Sequence, residues 1–126
     1  MSHVPKTRAH LELEKLVPVL NKAFDKFDED FEKRHAHFRL VTFFPSGTDQ
    51  LVADLGYYSG KDYSDYVLHD LTLTLTSDGR VRITMSRKVE WQPEPIVLAS
   101  LEFPGVKYIN DENALVLADE CFQAVA

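Results

Sequence analysis

The stretch Leu71-Thr-Leu-Thr-Leu-Thr-Ser-Asp-Gly-Arg-Val-Arg-Ile-Thr-Met85 constrains this chain more than any other. Leucine alternates with threonine, a turn signal follows, and apolar residues then alternate with arginine and threonine. A period of two with one apolar set describes a β-hairpin with one buried and one wet face. Asp78-Gly79 suggests a two-residue loop. That loop would pair Leu75 with Arg82 and Leu73 with Thr84, so every apolar residue would meet a polar one on the same face. One more loop residue repairs the register. With Ser77-Asp78-Gly79 as the loop, Leu75 meets Val81, Leu73 meets Ile83 and Leu71 meets Met85. Loops of this length end in a left-handed residue, which predicts a positive φ at Gly79.

The opposite face carries Thr72, Thr74, Thr76, Arg80, Arg82, Thr84, Ser86 and Lys88. Antiparallel sheets ordinarily leave such a face in water. Its cations and hydroxyls also suit contact with an acidic partner.

Upstream, Leu13, Val17, Leu20, Phe24, Phe27 and Phe31 recur at spacings of three and four. They predict an amphipathic helix over about residues 10–34, with residues 1–9 as a flexible tail. Pro18 either kinks this helix or starts a second one. The stripe keeps its phase across Pro18, which favours the kink. Strand patterns follow at His37 to about Phe44, Gln50 to Tyr58, 67–76, 80–91 and Ile96 to Phe103. The last is apolar on both faces and reads as well covered. Asn110, followed by Asp111 and Glu112, suits a helix N-cap, and Leu115, Ala118, Phe122 and Val125 form a stripe behind it. Strands without intervening helices predict an α+β fold: one domain, about five mainly antiparallel strands, and two helices on one face.

The chain of 126 residues carries a net charge of −6. Residues 1–34 are neutral, 35–77 carry −3, 78–90 carry +2 and 91–126 carry −5. A local basic strip in an acidic field disfavours nucleic acid. No apolar run suits a membrane span, and no leader pattern opens the chain. The single Cys121 fits a reducing cytoplasm.

The sequence holds no phosphate loop, nucleophile elbow or zinc signature, so no catalytic residue, metal or cofactor is assigned. His35 and His37 share a strand face but form an incomplete ligand set. Cys121, mid-helix beside Glu120, reads as a small core residue. His69 shares parity with Leu71 and Leu73 and falls on the apolar face. Tyr57, Tyr58, Tyr63 and Tyr66 gather in a loop with Ser, Gly and Asp, a composition suited to protein contact. Trp91, in phase with Met85 and Val89, reads as a core cap. Arg87 shares that parity, and a β-bulge near it, or a strand that outruns its helix cover, would reconcile it.

Two functional expectations follow. The first is a non-enzymatic protein-binding module of the immunity, antitoxin or chaperone type, capable of homodimerisation. It would act through Arg80, Arg82, Lys88, Thr74, Tyr58 and Tyr63. The second is a small-molecule pocket or small enzyme between helix and sheet, lined by His69, Tyr57 and Tyr66.

Overall fold

Helix α1 spans Arg8–Glu14 and helix α2 spans Val17–Glu32 in a computed structural model that describes residues 6–32, 37–59, 65–87 and 91–125. Thr7 caps α1: its hydroxyl accepts from the His10 N–H at 3.2 Å while His10 Nδ1 accepts from the Thr7 N–H at 3.1 Å. The same hydroxyl donates to the Thr48 carbonyl at 2.6 Å, which ties the start of the helix to a turn of the sheet. The helix therefore begins at Arg8, earlier than its apolar stripe indicates. A seven-residue helix is marginal alone, so this cap and the burial of His10 and Leu13 sustain it.

The expected kink is instead a break. Lys15 and Leu16 leave the helix, and Pro18 sits in the first turn of α2. There its missing N–H costs nothing, because first-turn N–H groups have no helical partner. The stripe keeps its phase because Leu13, Leu16, Leu20, Ala23 and Phe24 all remain buried across the break.

Among the described residues six antiparallel strands follow: β1 (His37–Leu40), β2 (Phe44–Ser46), β3 (Gln50–Ser59), β4 (Asp65–Leu75), β5 (Val81–Arg87) and β6 (Ile96–Phe103). Their order is β1-β3-β4-β5-β6, and β2 also pairs with β3. Thus β1 and β2 are two pieces of one edge, separated where Val41 donates to the Asp54 carbonyl at 2.8 Å. A 3-10 turn (Val106–Tyr108) leads to helix α3 (Asp111–Val125). Asn110 caps α3, accepting from the Asn113 N–H at 2.9 Å, as the sequence predicts.

The hairpin has the face-matched register: Leu71 opposite Met85, Leu73 opposite Ile83, Leu75 opposite Val81. Thr76 N–H donates to the Arg80 carbonyl at 2.9 Å and Gly79 N–H to the Thr76 carbonyl at 3.0 Å, closing a three-residue loop. Gly79 has φ of +87°.

The chain is α+β, with its helices packed on one face of the sheet. The core joins Leu51, Leu55, Leu71, Leu73, Val81, Ile83 and Met85 of the strands to the helical stripes. In α3 the buried set is Ala114, Leu117, Ala118 and Cys121, with Leu115 and Phe122 at its margins. The expected stripe is thus rotated toward smaller residues, which let the helix approach closely.

Three other expectations are corrected. Strand β6 is an edge, not a covered strand: Ile96 is 43% and Val97 58% exposed. Trp91 is 83% exposed rather than a core cap. The parity that placed it runs through residues 88–90, which lie outside the described residues. The β5–β6 register slips between Met85 and Ser86, but the extra residue is Leu98 of β6. The β4–β5 register runs unbroken to Ser86, so this is not the bulge in β5 that would reconcile Arg87, which is exposed. Finally, the described residues of the tyrosine segment, 56–59 and 65–66, are strand. Tyr57 pairs with Val67 and Tyr58 with Tyr66.

Alanine at position 79 would meet no atom within 4 Å, so its cost is conformational alone. Gly79→Ala is expected to lower stability by about 1 kcal/mol in urea unfolding, with the fold unchanged by circular dichroism.

Candidate functional site

The face of the sheet opposite the helices is built by the even-numbered residues of β3, β4 and β5. Cross-strand register arranges it in rows. One row runs Phe44, Val52, Thr72, Thr84, Ser100. The next runs Ser46, Gln50, Thr74, Arg82, Glu102. A third holds Asp54, Asp70, Ser86 and Val97.

Much of the polar content of this face is already paired. Arg80 Nε donates to Glu102 Oε1 at 2.5 Å, and Arg82 Nη2 lies 3.8 Å from Glu102 Oε2. Gln50 Nε2 donates to the Thr74 hydroxyl at 3.2 Å. The Thr84 and Ser100 hydroxyls stand 3.4 Å apart. Thr74, Arg80 and Arg82 therefore share one surface, and Glu102 offsets half the charge of the two arginines. Sequence reasoning missed Glu102 because it lies on another strand and reaches Arg82 only through the β5–β6 register. The apolar exposure is larger than the sequence suggests: Phe44 is 52%, Leu68 41% and Val97 58% exposed.

Tyr58 also belongs to this face. Its ring lies against Gly56, where a Cβ would come within 2.7 Å of a ring carbon. The glycine thus leaves room for the ring. Tyr63 and Lys88 lie outside the described residues, as does His35, and the side chain of Tyr66 is likewise not described.

At the β1 end of the sheet, Asp28 of α2 gathers three donors. Its carboxylate lies 3.1 Å from His37 Nδ1, accepts from the Phe38 N–H at 2.8 Å, and accepts from Arg39 Nε at 3.3 Å. The Asp28 side chain is only 13% exposed. In sequence it is one member of a mixed charged helix face. Only the fold shows that it clamps α2 to β1. Behind it, the rings of Phe24, Phe27, Phe38, Tyr57 and Phe122 pack with centroid separations of 5.6–6.5 Å. Tyr57 is therefore part of an aromatic cluster in the core rather than of a loop.

His69 stands opposite Leu55 on the covered face and is 4% exposed. Its Nδ1 has no hydrogen-bond partner. Burial lowers its pKa below 6.5, a backbone hydrogen bond at Leu55 acts in the opposite sense, and Arg87 adds to the lowering. Asp70, its chain neighbour, points to the other face and raises it only weakly. Cys121 is buried as expected, and desolvation with nearby Glu120 pushes its thiol up to about 12, far from a reactive thiolate.

A cleft of about 550 Å³ opens elsewhere, between the α1–α2 break and the β1–β2 break. Its walls come from Val17, Pro18, Leu40, Phe43, Pro45 and Leu51, and neither His69 nor Tyr57 is among its lining residues. Among the described residues, no three or more His, Cys, Asp or Glu side chains cluster to hold a metal ion, and no helix is long and apolar enough to cross a membrane. Comparison with protein-family models, curated proteins and solved structures finds no match, so the geometry alone carries the reading of these sites.

The buried His69 gives stability a pH dependence of definite sign. Its folded pKa lies below 6.5, so at falling pH the unfolded chain takes up a proton that the folded chain refuses. This contribution is full above pH 6.5 and declines through that value until pH passes below the lowered folded pKa. Urea unfolding at a series of pH values should show a shallower loss below pH 6.5 for His69→Gln than for the native chain. Parallel curves would show that His69 does not titrate differently on folding.

Proposed function

We propose that this protein is a non-enzymatic protein-binding module that engages its partner through the open face of the sheet. The observation that carries this reading is the exposure of Phe44, Leu68 and Val97 on a sheet face that carries paired polar groups rather than a helical layer. An interface core needs apolar area, and a polar rim needs groups that do not have to be stripped of unsatisfied hydrogen bonds. The pairs Arg80–Glu102, Arg82–Glu102 and Gln50–Thr74 meet the second need. Tyr58, with its ring against Gly56, adds aromatic area at low entropic cost.

To the expected charge-led recognition this reading adds apolar anchors, Phe44 on β2 and Val97 on β6 at opposite edges of the face, with polar rows between them. Exposed ion pairs contribute about 0–1 kcal/mol, whereas burying a large apolar side chain contributes about 1.5–3 kcal/mol. Phe44 therefore outweighs either arginine as an anchor. The immunity, antitoxin and escort classes remain the types of protein that this reading fits. A cytoplasmic setting is part of the proposal, supported by a lone buried thiol. A second copy of the chain is one partner that the open face could take.

The test compares affinity capture by the native chain, Phe44→Ser and Arg80→Ser/Arg82→Ser. All three should share one unfolding midpoint within about 0.5 kcal/mol, because these positions are exposed. The native chain should retain a partner at stoichiometric yield, Phe44→Ser should lose it, and the arginine variant should weaken it less. Equal capture by all three would remove the sheet face from the function.

A further inference from the structure

The two interruptions of regular structure face each other across the cleft of about 550 Å³. On the helical side, α1 stops at Glu14 and α2 starts at Val17 with Pro18 in its first turn. On the sheet side, β1 stops at Leu40 and β2 starts at Phe44. Each break removes wall where an unbroken helix or strand would continue, and the volume lies in the range of small-molecule sites.

The lining has a consistent chemistry. Val17, Pro18, Leu40, Phe43 and Leu51 supply an apolar floor, and Phe43 supplies an aromatic surface. At one end Lys6 Nζ is held by Glu14 at 2.6 Å, so this cation is already neutralised. At the other end stand Asn21 and Asp25, four residues apart on one side of α2, with Thr42 across from them on the β1–β2 connection. Among the described residues Asn21, Asp25 and Thr42 make no side-chain hydrogen bond or ion pair. This separates them from the polar groups of the open sheet face, many of which are partnered. A carboxylate, an amide and a hydroxyl without internal partners, set at the rim of an apolar cleft, complement a ligand with one cationic head and a flat apolar body.

We propose that this cleft is a binding site for small aromatic amines, with Asp25 receiving the ammonium group and Asn21 and Thr42 orienting it. The apolar body lies between Pro18 and Phe43. An anionic ligand of the same shape is rejected, because the paired Lys6 leaves Asp25 as the uncompensated charge. This site is independent of the open sheet face and does not require the protein-binding reading.

Tryptamine and indole-3-propionate, which share a ring and differ in charge, are the probes. Each is titrated into the full chain and followed by amide chemical shifts. Tryptamine should give saturable shifts at Asn21, Thr42 and Leu51 with millimolar or tighter affinity, and residues of the open face such as Thr72 and Arg82 should not move. Asp25→Asn should weaken tryptamine by about two- to fivefold without changing the unfolding midpoint of the free protein, since Asp25 is exposed and unpartnered. Indole-3-propionate should bind the native chain more weakly by a similar factor. The proposal is overturned by non-saturating shifts, by equal affinity for the two probes, or by an Asp25→Asn chain that binds tryptamine as well as the native one.

Discussion

The single apolar face of the sheet is the constraint on which the rest of this structure depends. Across four strands it presents Leu51, Leu73, Ile83 and Leu101 in one row and Ala53, Leu71, Met85 and Ala99 in the next. Strand side chains alternate with period two, so slipping one strand by one residue would turn its apolar set to water. Leu71, Leu73 and Ile83 are essentially fully buried, and exposing any one of them would cost about 1.5–3 kcal/mol. That penalty is what selects a three-residue loop over the two-residue loop suggested by Asp78-Gly79. The loop in turn requires the left-handed glycine. Local turn preference yields here to the burial of distant side chains.

The same alternation explains which features could be read without the fold. The hairpin register, Gly79, the Asn110 cap and the one-sided helical cover follow from periodicity and local chemistry. What failed depended on partners far apart in sequence. Burial in Ile96 to Phe103 was inferred from apolar composition, but the order of the strands puts that segment at an edge. The reading of Trp91 as a core cap rests on parity counted from Met85 and Val89, whereas the side chain is 83% exposed. Pro18 is read correctly as an interruption, yet the stripe continues in phase through a break as well as through a kink. Asp28 and Glu102 were invisible as organisers because their donors are 9–11 and 20–22 residues away.

These two carboxylates have different consequences. Asp28 is largely buried and accepts from a ring nitrogen, a backbone N–H and a guanidinium, so its removal would strand donors at the junction of α2 and β1. Glu102 is exposed and contributes little to stability. It pairs with both arginines and so offsets half of the positive charge that the basic strip shows in sequence. Long-range attraction of an acidic partner is correspondingly reduced, and short-range apolar fit gains weight.

The two sheet edges are managed differently. The β1–β2 edge is interrupted between Leu40 and Phe44 and carries Pro45, which has no N–H to offer another chain. The β6 edge has neither proline nor lysine between Ile96 and Phe103. It has instead the register slip between Met85 and Ser86, which leaves Leu98 without a partner and disturbs the strand near its exposed start. A bulge protects an edge by irregularity rather than by charge. The interruption at the opposite edge protects in a comparable way, and it also withdraws backbone from the space below α2. The measure that discourages strand pairing at that edge is therefore the same one that opens the cleft.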